Sequence, residues 1–227
     1  MEKLIKTRRG ITFTGLVLIF LMFIVDYFIK PDYHIKSLIK IFAFLIIPII
    51  YTKTNWYLNW KEFFTLASKG QLIISFILGI FVYGIIIGGF ILLKDFIDLE
   101  KIQNILSKDL NVNKDNFIFV ALYISFFNSL LEEFFFRGFL FLGLKKLGNT
   151  LRAYIISSLF FAIYHIAIIG TWFNISLFAL AMLGLFIGGL IFNGLNHAND
   201  NIYNSWLVHM FANFAINTVG FIMYGII

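Results

Sequence analysis

Two adjacent carboxylates inside a long apolar run, Glu132 and Glu133 in LLEEFFFRGFL, are the residues of this sequence best placed to do chemistry. An ionisable side chain at the bilayer centre costs about 2.5 to 3.5 kcal/mol on insertion scales, so it needs a reason to be there. Arg137 follows Glu133 by four positions, the spacing at which a helix pairs an acid with a base. Glu132 then points elsewhere, about 100° round the helix. Further on, SSLFFAIYHI separates Phe161 and His165 by four, and NSWLVHMFANF does the same with His209 and Asn213. A carboxylate, two imidazoles and an amide are the parts needed for attack by water on a peptide carbonyl. Glu132 could take a proton from water, and His165 could hold that water or share the proton. His209 and Asn213 could donate to the developing oxyanion. Glu133 and Arg137 would support Glu132, and Phe161 reads as packing.

Each element also has a plainer reading. A lone buried Glu–Arg pair can be structural, and a lone intramembrane His or Asn often bridges two helices. Their conjunction on three helices makes the case for a hydrolase. Asp26 has no evident partner and reads as structural. His197, among Asn196, Asn199, Asp200 and Asn201, reads as a loop residue, as does His34.

The elements that must carry these groups are membrane helices. With 60% apolar and 13% charged residues, the chain lies far from a soluble domain, and its apolar residues come in blocks of bilayer length. Seven spans are expected, near 11–29, 35–51, 72–93, 117–147, 151–169, 175–195 and 202–227. The first is retained, because no A-x-A cleavage pattern follows it. Trp56, Tyr57, Trp60, Phe63 and Phe64, mixed with Lys61 and Glu62, suit a short helix lying at the interface. The fold class is therefore all-α, a polytopic bundle forming one membrane domain over 1–227, with a motif-bearing core at about 116–227. Gly84 and Gly88, and again Gly184 and Gly188, have the GxxxG spacing that lets helices approach closely. The fourth span would reach roughly 46 Å, well over a hydrocarbon core of about 30 Å, so it must tilt, break or project, with Gly138 as the break point.

The formal charge is +6, but its basic residues lie beside the spans, where they set topology and meet anionic lipid, so nucleic acid is not expected as a partner. The absence of cysteine excludes thiolate catalysis and cysteine-ligated metal. The four basic residues near the N-terminus, those of the 52–70 connection, and Lys145, Lys146 and Arg152 fall on one side, so the N-terminus is expected in the cytoplasm. The 94–115 loop, with at least as many acidic as basic side chains, goes to the other side. The Lys30 to Lys40 turn goes with it as an imperfect fit. Counting 1.5 Å per residue puts Glu132 about 8 Å, His209 about 11 Å, Asn213 about 17 Å and His165 about 21 Å from the cytoplasmic edge. To join the site, the helix of His165 must start later or tilt.

At these residues the chain resembles the CAAX protease and bacteriocin-processing (CPBP, Abi) family of intramembrane endopeptidases, whose pattern is EExxxR, FxxxH, then HxxxN or HxxxD. All three occur in order, at Glu132 to Arg137, Phe161 to His165 and His209 to Asn213, over about the last 110 residues. The resemblance implies cleavage of a membrane-associated peptide or protein near the cytoplasmic face. Glu132 and His165 would activate water, and His209 and Asn213 would form the oxyanion site. It also implies a bacterial cell membrane and a role in bacteriocin processing or immunity. A noncatalytic immunity or peptide-binding protein is the alternative. Glu132, His165 and His209 could supply the donors for zinc, although the preferred mechanism needs no metal.

Overall fold

The computed structural model describes residues 2–55, 57–198 and 200–227, so Trp56 and Asn199 lie outside the described residues. Seven helices are long and apolar enough to cross a membrane: α1 (Glu2–Ile29), α2 (Tyr33–Thr54), α3 (Lys69–Phe96), α5 (Phe117–Lys146), α6 (Thr150–Ile169), α7 (Ile175–His197) and α8 (Tyr203–Met223). An eighth, α4 (Leu99–Leu110), lies in the connection between α3 and α5. No strand occurs among the described residues, and the chain is an all-α polytopic bundle.

The bundle is organised around α5. Every residue from 131 to 144 is buried, the charged Glu132, Glu133 and Arg137 among them, because other helices enclose this stretch. Its phenylalanines are matched from neighbouring helices. Phe135 stacks on Phe44 of α2 at 4.2 Å between centroids, Phe136 meets Phe161 of α6 at 5.3 Å, and Phe141 meets Tyr154 at 4.9 Å. The helix is not broken at Gly138. It runs on continuously through two π-helical stretches, Ile124–Asn128 and Glu133–Leu142. The glycine instead admits the ring of Phe63, since a Cβ there would come within 2.9 Å of it. Phe63 belongs to a 3₁₀ turn, Trp60–Phe64, where a helix lying at the interface was expected. Its ring is 4% exposed, so this segment plugs into the core.

Neither GxxxG pair draws two helices together, because nothing lies within 4 Å of a Cβ built on Gly84, Gly88, Gly184 or Gly188. The close approaches occur at other glycines, one more than a turn before Gly84 and one immediately after Gly188. Gly79 of α3 receives Phe211 of α8, and a Cβ on Gly189 of α7 would come within 2.9 Å of the Ser158 backbone of α6. Polar contacts reinforce both pairs. Tyr83 meets Thr218 at 3.0 Å, and Asn193 donates to Ser158 at 3.0 Å.

Of the lysines in the expected Lys30 to Lys40 turn, Lys36 and Lys40 are not turn residues. Both lie within α2, and Lys36 pairs with Asp26 at 2.8 Å, which supplies the partner that Asp26 lacked in the sequence. α4 was likewise hidden in a polar stretch. Asp98 caps it by accepting from Lys101 N at 2.8 Å, and Asn111 ends it in the left-handed conformation. Its apolar side meets a small cluster of Val112, Phe117 and Tyr224.

Candidate active site

The motif residues meet on one level of the bundle. Glu132 and Glu133 come from the middle of α5, His165 from the last turns of α6, and His209 and Asn213 from α8. Along the rise of a helix, Glu132 is about 21 Å from the Lys146 end of α5 and His165 about 22 Å from the Thr150 end of α6, so the expected mismatch of depths disappears. α8 joins at the same level because its start is recessed. Ile202 N donates to Phe63 O at 3.0 Å, and Phe63 packs on Gly138 well inside α5.

The last helix is fixed by carbonyl oxygens of α5. Asn213 Nδ2 donates to Ile124 O at 3.1 Å, Asn217 Nδ2 to Ala121 O at 3.1 Å, and Trp206 Nε1 to Phe126 O at 3.1 Å. These acceptors lie in or beside the first π-helical stretch, where the α-helical bonding pattern is interrupted and carbonyls are released. Asn213, expected as an oxyanion donor, thus commits one amide hydrogen to anchoring α8.

The two glutamates have separate surroundings. Glu133 is fully buried and forms an ion pair with Arg137 at 3.3 Å. It also accepts from His209 Nδ1 at 2.8 Å and from Ser205 Oγ. The Arg137 guanidinium lies over the rings of Phe161 at 4.1 Å and Phe192 at 4.9 Å. Phe161 is therefore more than packing, because its ring also meets His165 at 4.7 Å and His209 at 5.9 Å. It joins the buried cation to both imidazoles.

Glu132 divides its oxygens. Oε1 accepts from Lys40 Nζ of α2 at 2.6 Å and from Asn128 Nδ2 at 3.0 Å. Oε2 faces His209 Nε2 at 3.7 Å and His165 Nε2 at 4.0 Å. His165 Nδ1 donates to Phe161 O at 2.8 Å. A carboxylate and a carbonyl only accept, so each imidazole carries a hydrogen on Nδ1 and, when neutral, turns the Nε2 lone pair toward Glu132. With neutral histidines, the pairs Glu132–Lys40 and Glu133–Arg137 leave the buried cluster without net charge.

Glu132, His165 and His209 do not fit a metal ion. The Lys40 ammonium already balances the Glu132 charge and would repel a second cation beside it. No group of three His, Asp or Glu suited to a metal occurs among the described residues.

Lys40, Asn128 and Ser205 were missed in the sequence. Asn128 stands four before Glu132, on the same helix face, and was open to detection. The imperfect fit of the Lys30 to Lys40 turn to the charge rule was the one trace of Lys40 in the sequence, since Lys40 lies within α2 and points into the bundle.

Residues 114–215 match the family model "Type II CAAX prenyl endopeptidase Rce1-like". The matched segment contains all three motifs and bears out the family resemblance over that stretch. No curated protein and no solved structure matches the chain. The Rce1-like segment comprises α5, α6, α7 and most of α8, whereas Lys40 enters from α2, outside it.

His34 and His197 stay apart from this cluster. His197 Nδ1 meets the Tyr154 hydroxyl at 3.1 Å near the opposite end of the bundle from α4.

Proposed function

We propose that the chain is an intramembrane endopeptidase in which residues 1–227 act as one domain and Glu132 activates water without a metal. The observation that carries this reading is the convergence of His209 Nε2 and His165 Nε2, at 3.7 and 4.0 Å, on the one Glu132 oxygen not engaged by Lys40. A water held there gives a proton to Glu132 Oε2, and its oxygen adds to the peptide carbonyl carbon. The proton can be shared with His209 Nε2, with Glu133 behind Nδ1 stabilising the imidazolium. In that state His209 donates to the oxyanion beside the second amide hydrogen of Asn213. Collapse of the intermediate breaks the C–N bond, and the proton passes to the departing amine nitrogen. The products are a carboxylic acid and an amine, and the cluster returns to its starting charge.

The substrate in this reading is a peptide or protein with a membrane-associated segment, since the reacting atoms lie about 20 Å from the basic end of the bundle. Arg8, Arg9, Lys53, Lys61, Lys145 and Lys146 gather at that end, which the charge rule assigns to the cytoplasm. His165 is only about 6 Å from the opposite end of α6. Glu132 is also about 22 Å from the Phe117 end of α5, and His209 about 21 Å from the Met223 end of α8, so in this reading the catalytic level lies near the middle of the bundle, deeper than the cytoplasmic face that the family resemblance implied.

The test is cleavage of a membrane-peptide library by detergent-purified protein. Wild type, Glu132→Gln and His209→Ala are compared, each with and without chelator. Cleavage by wild type alone, unaffected by chelator, is expected. Chelator sensitivity would overturn the metal-free mechanism, and cleavage by Glu132→Gln would overturn the assignment of the base. A folded wild type that binds peptides and cleaves none would favour a noncatalytic immunity role.

A further inference from the structure

The Lys40 ammonium is one of the least accessible charges in the protein, 4% exposed, on a helix outside the Rce1-like segment. An ammonium has three hydrogens to place. Lys40 directs them at Glu132 Oε1 at 2.6 Å, at Asn128 Oδ1 at 2.5 Å and toward the face of Tyr164, whose ring centroid is 4.8 Å away. Asn128 closes the arrangement by donating from Nδ2 to the same Glu132 oxygen at 3.0 Å. Lys40, Asn128 and Oε1 form a closed triangle, so the carboxylate cannot rotate about its Cγ–Cδ bond without giving up two hydrogen bonds, one of them charge-assisted.

We propose that Lys40 is the positioning residue of this site, pinning one oxygen of Glu132 so that the other alone faces both histidines and receives the proton of water. The inference rests on the peptidase reading above. It assigns to α2 a role in the chemistry carried by α5, α6 and α8. A buried lysine whose only task was to neutralise Glu132 would not need Asn128 to hold both partners. Without Lys40 the plane of the carboxylate would no longer be fixed, and Glu132 would no longer be held against the attacking water. Misplacement of a reacting group by about 1 Å can cost on the order of 100-fold in rate.

The experiment measures kcat and KM for wild type, Lys40→Met, Lys40→Arg, Asn128→Ala and Glu132→Gln on one cleaved peptide, with thermal unfolding of each in the same detergent. For Lys40→Met, kcat should fall on the order of 100-fold with KM within about twofold, and Lys40→Arg should recover at least about tenfold of that loss. Asn128→Ala uncovers no charge and keeps the proposal testable if Lys40→Met fails to fold. It should lower kcat several-fold at unchanged KM. A folded Lys40→Met with wild-type kcat, or an Asn128→Ala enzyme with unchanged kcat, would overturn the positioning role. If wild type cleaves and Glu132→Gln does not, such a result counts against Lys40 alone. If wild type cleaves nothing, the peptidase reading fails and this inference falls with it.

Discussion

Replacing Arg137 with alanine tests how the buried cluster is held together. The guanidinium is fully buried, contacts Glu133 at 3.3 Å, and lies on the rings of Phe161 and Phe192. Breaking a buried ion pair by removing one partner costs about 3 to 5 kcal/mol, because the remaining charge is uncompensated. Glu133 keeps its hydrogen bonds from His209 and Ser205, so the low end of that range, about 3 kcal/mol, applies to the carboxylate. Loss of the cation from two aromatic faces adds about 1 kcal/mol. The expected total for Arg137→Ala is about 4 kcal/mol. It should be read as a shift in unfolding midpoint when detergent-solubilised protein is titrated with a denaturing detergent. Adding Glu133→Gln to Arg137→Met removes both charges, while the amide oxygen introduced at position 133 can still accept from His209. The double variant should recover about 2 to 3 kcal/mol relative to Arg137→Met alone. If the two single effects simply add, or if Arg137→Ala costs under about 1 kcal/mol, the Glu133–Arg137 pair does not stabilise the buried cluster.

Two further outcomes separate the features used in packing from those that only look as if they are. Gly189→Val places a side chain against the Ser158 backbone and should cost about 1 to 3 kcal/mol in the same unfolding titration, whereas Gly84→Ala and Gly188→Ala should be neutral or stabilising by up to about 1 kcal/mol. The chain has no cysteine, so single cysteines replacing Lys53 and Lys101 can be labelled by a membrane-impermeant maleimide on intact cells. Position 101 should label and position 53 should not, and the reverse pattern would overturn the orientation with the N-terminus in the cytoplasm.

The spans and the motif residues were legible because each depends on a local pattern. Seven apolar blocks of bilayer length are visible in composition, and the pairs Glu133–Arg137, Phe161–His165 and His209–Asn213 follow from helical spacing alone. What was not legible depends on contacts distant in sequence. Lys40 reaches Glu132 across 92 residues, and no spacing rule connects them. The glycine pairs failed for a related reason, since GxxxG permits close approach without specifying that a neighbour is there. The expected depths failed because span edges were treated as level, while α8 begins below the surface on a bond to Phe63.

The adjacency of the two glutamates is the feature that links fold to chemistry. A turn of about 100° between consecutive residues sets Glu133 against Arg137 and α8 and leaves Glu132 between Lys40 of α2 and the histidines of α6 and α8. Glu133 then serves the scaffold, where Arg137, Ser205 and His209 occupy it. Glu132 keeps one oxygen open to the histidines because its other oxygen is taken by Lys40 and Asn128. A reactive carboxylate placed in the Glu133 environment would have no free oxygen, since His209, Ser205 and Arg137 occupy both. Order within the motif, and not its charge alone, makes this site.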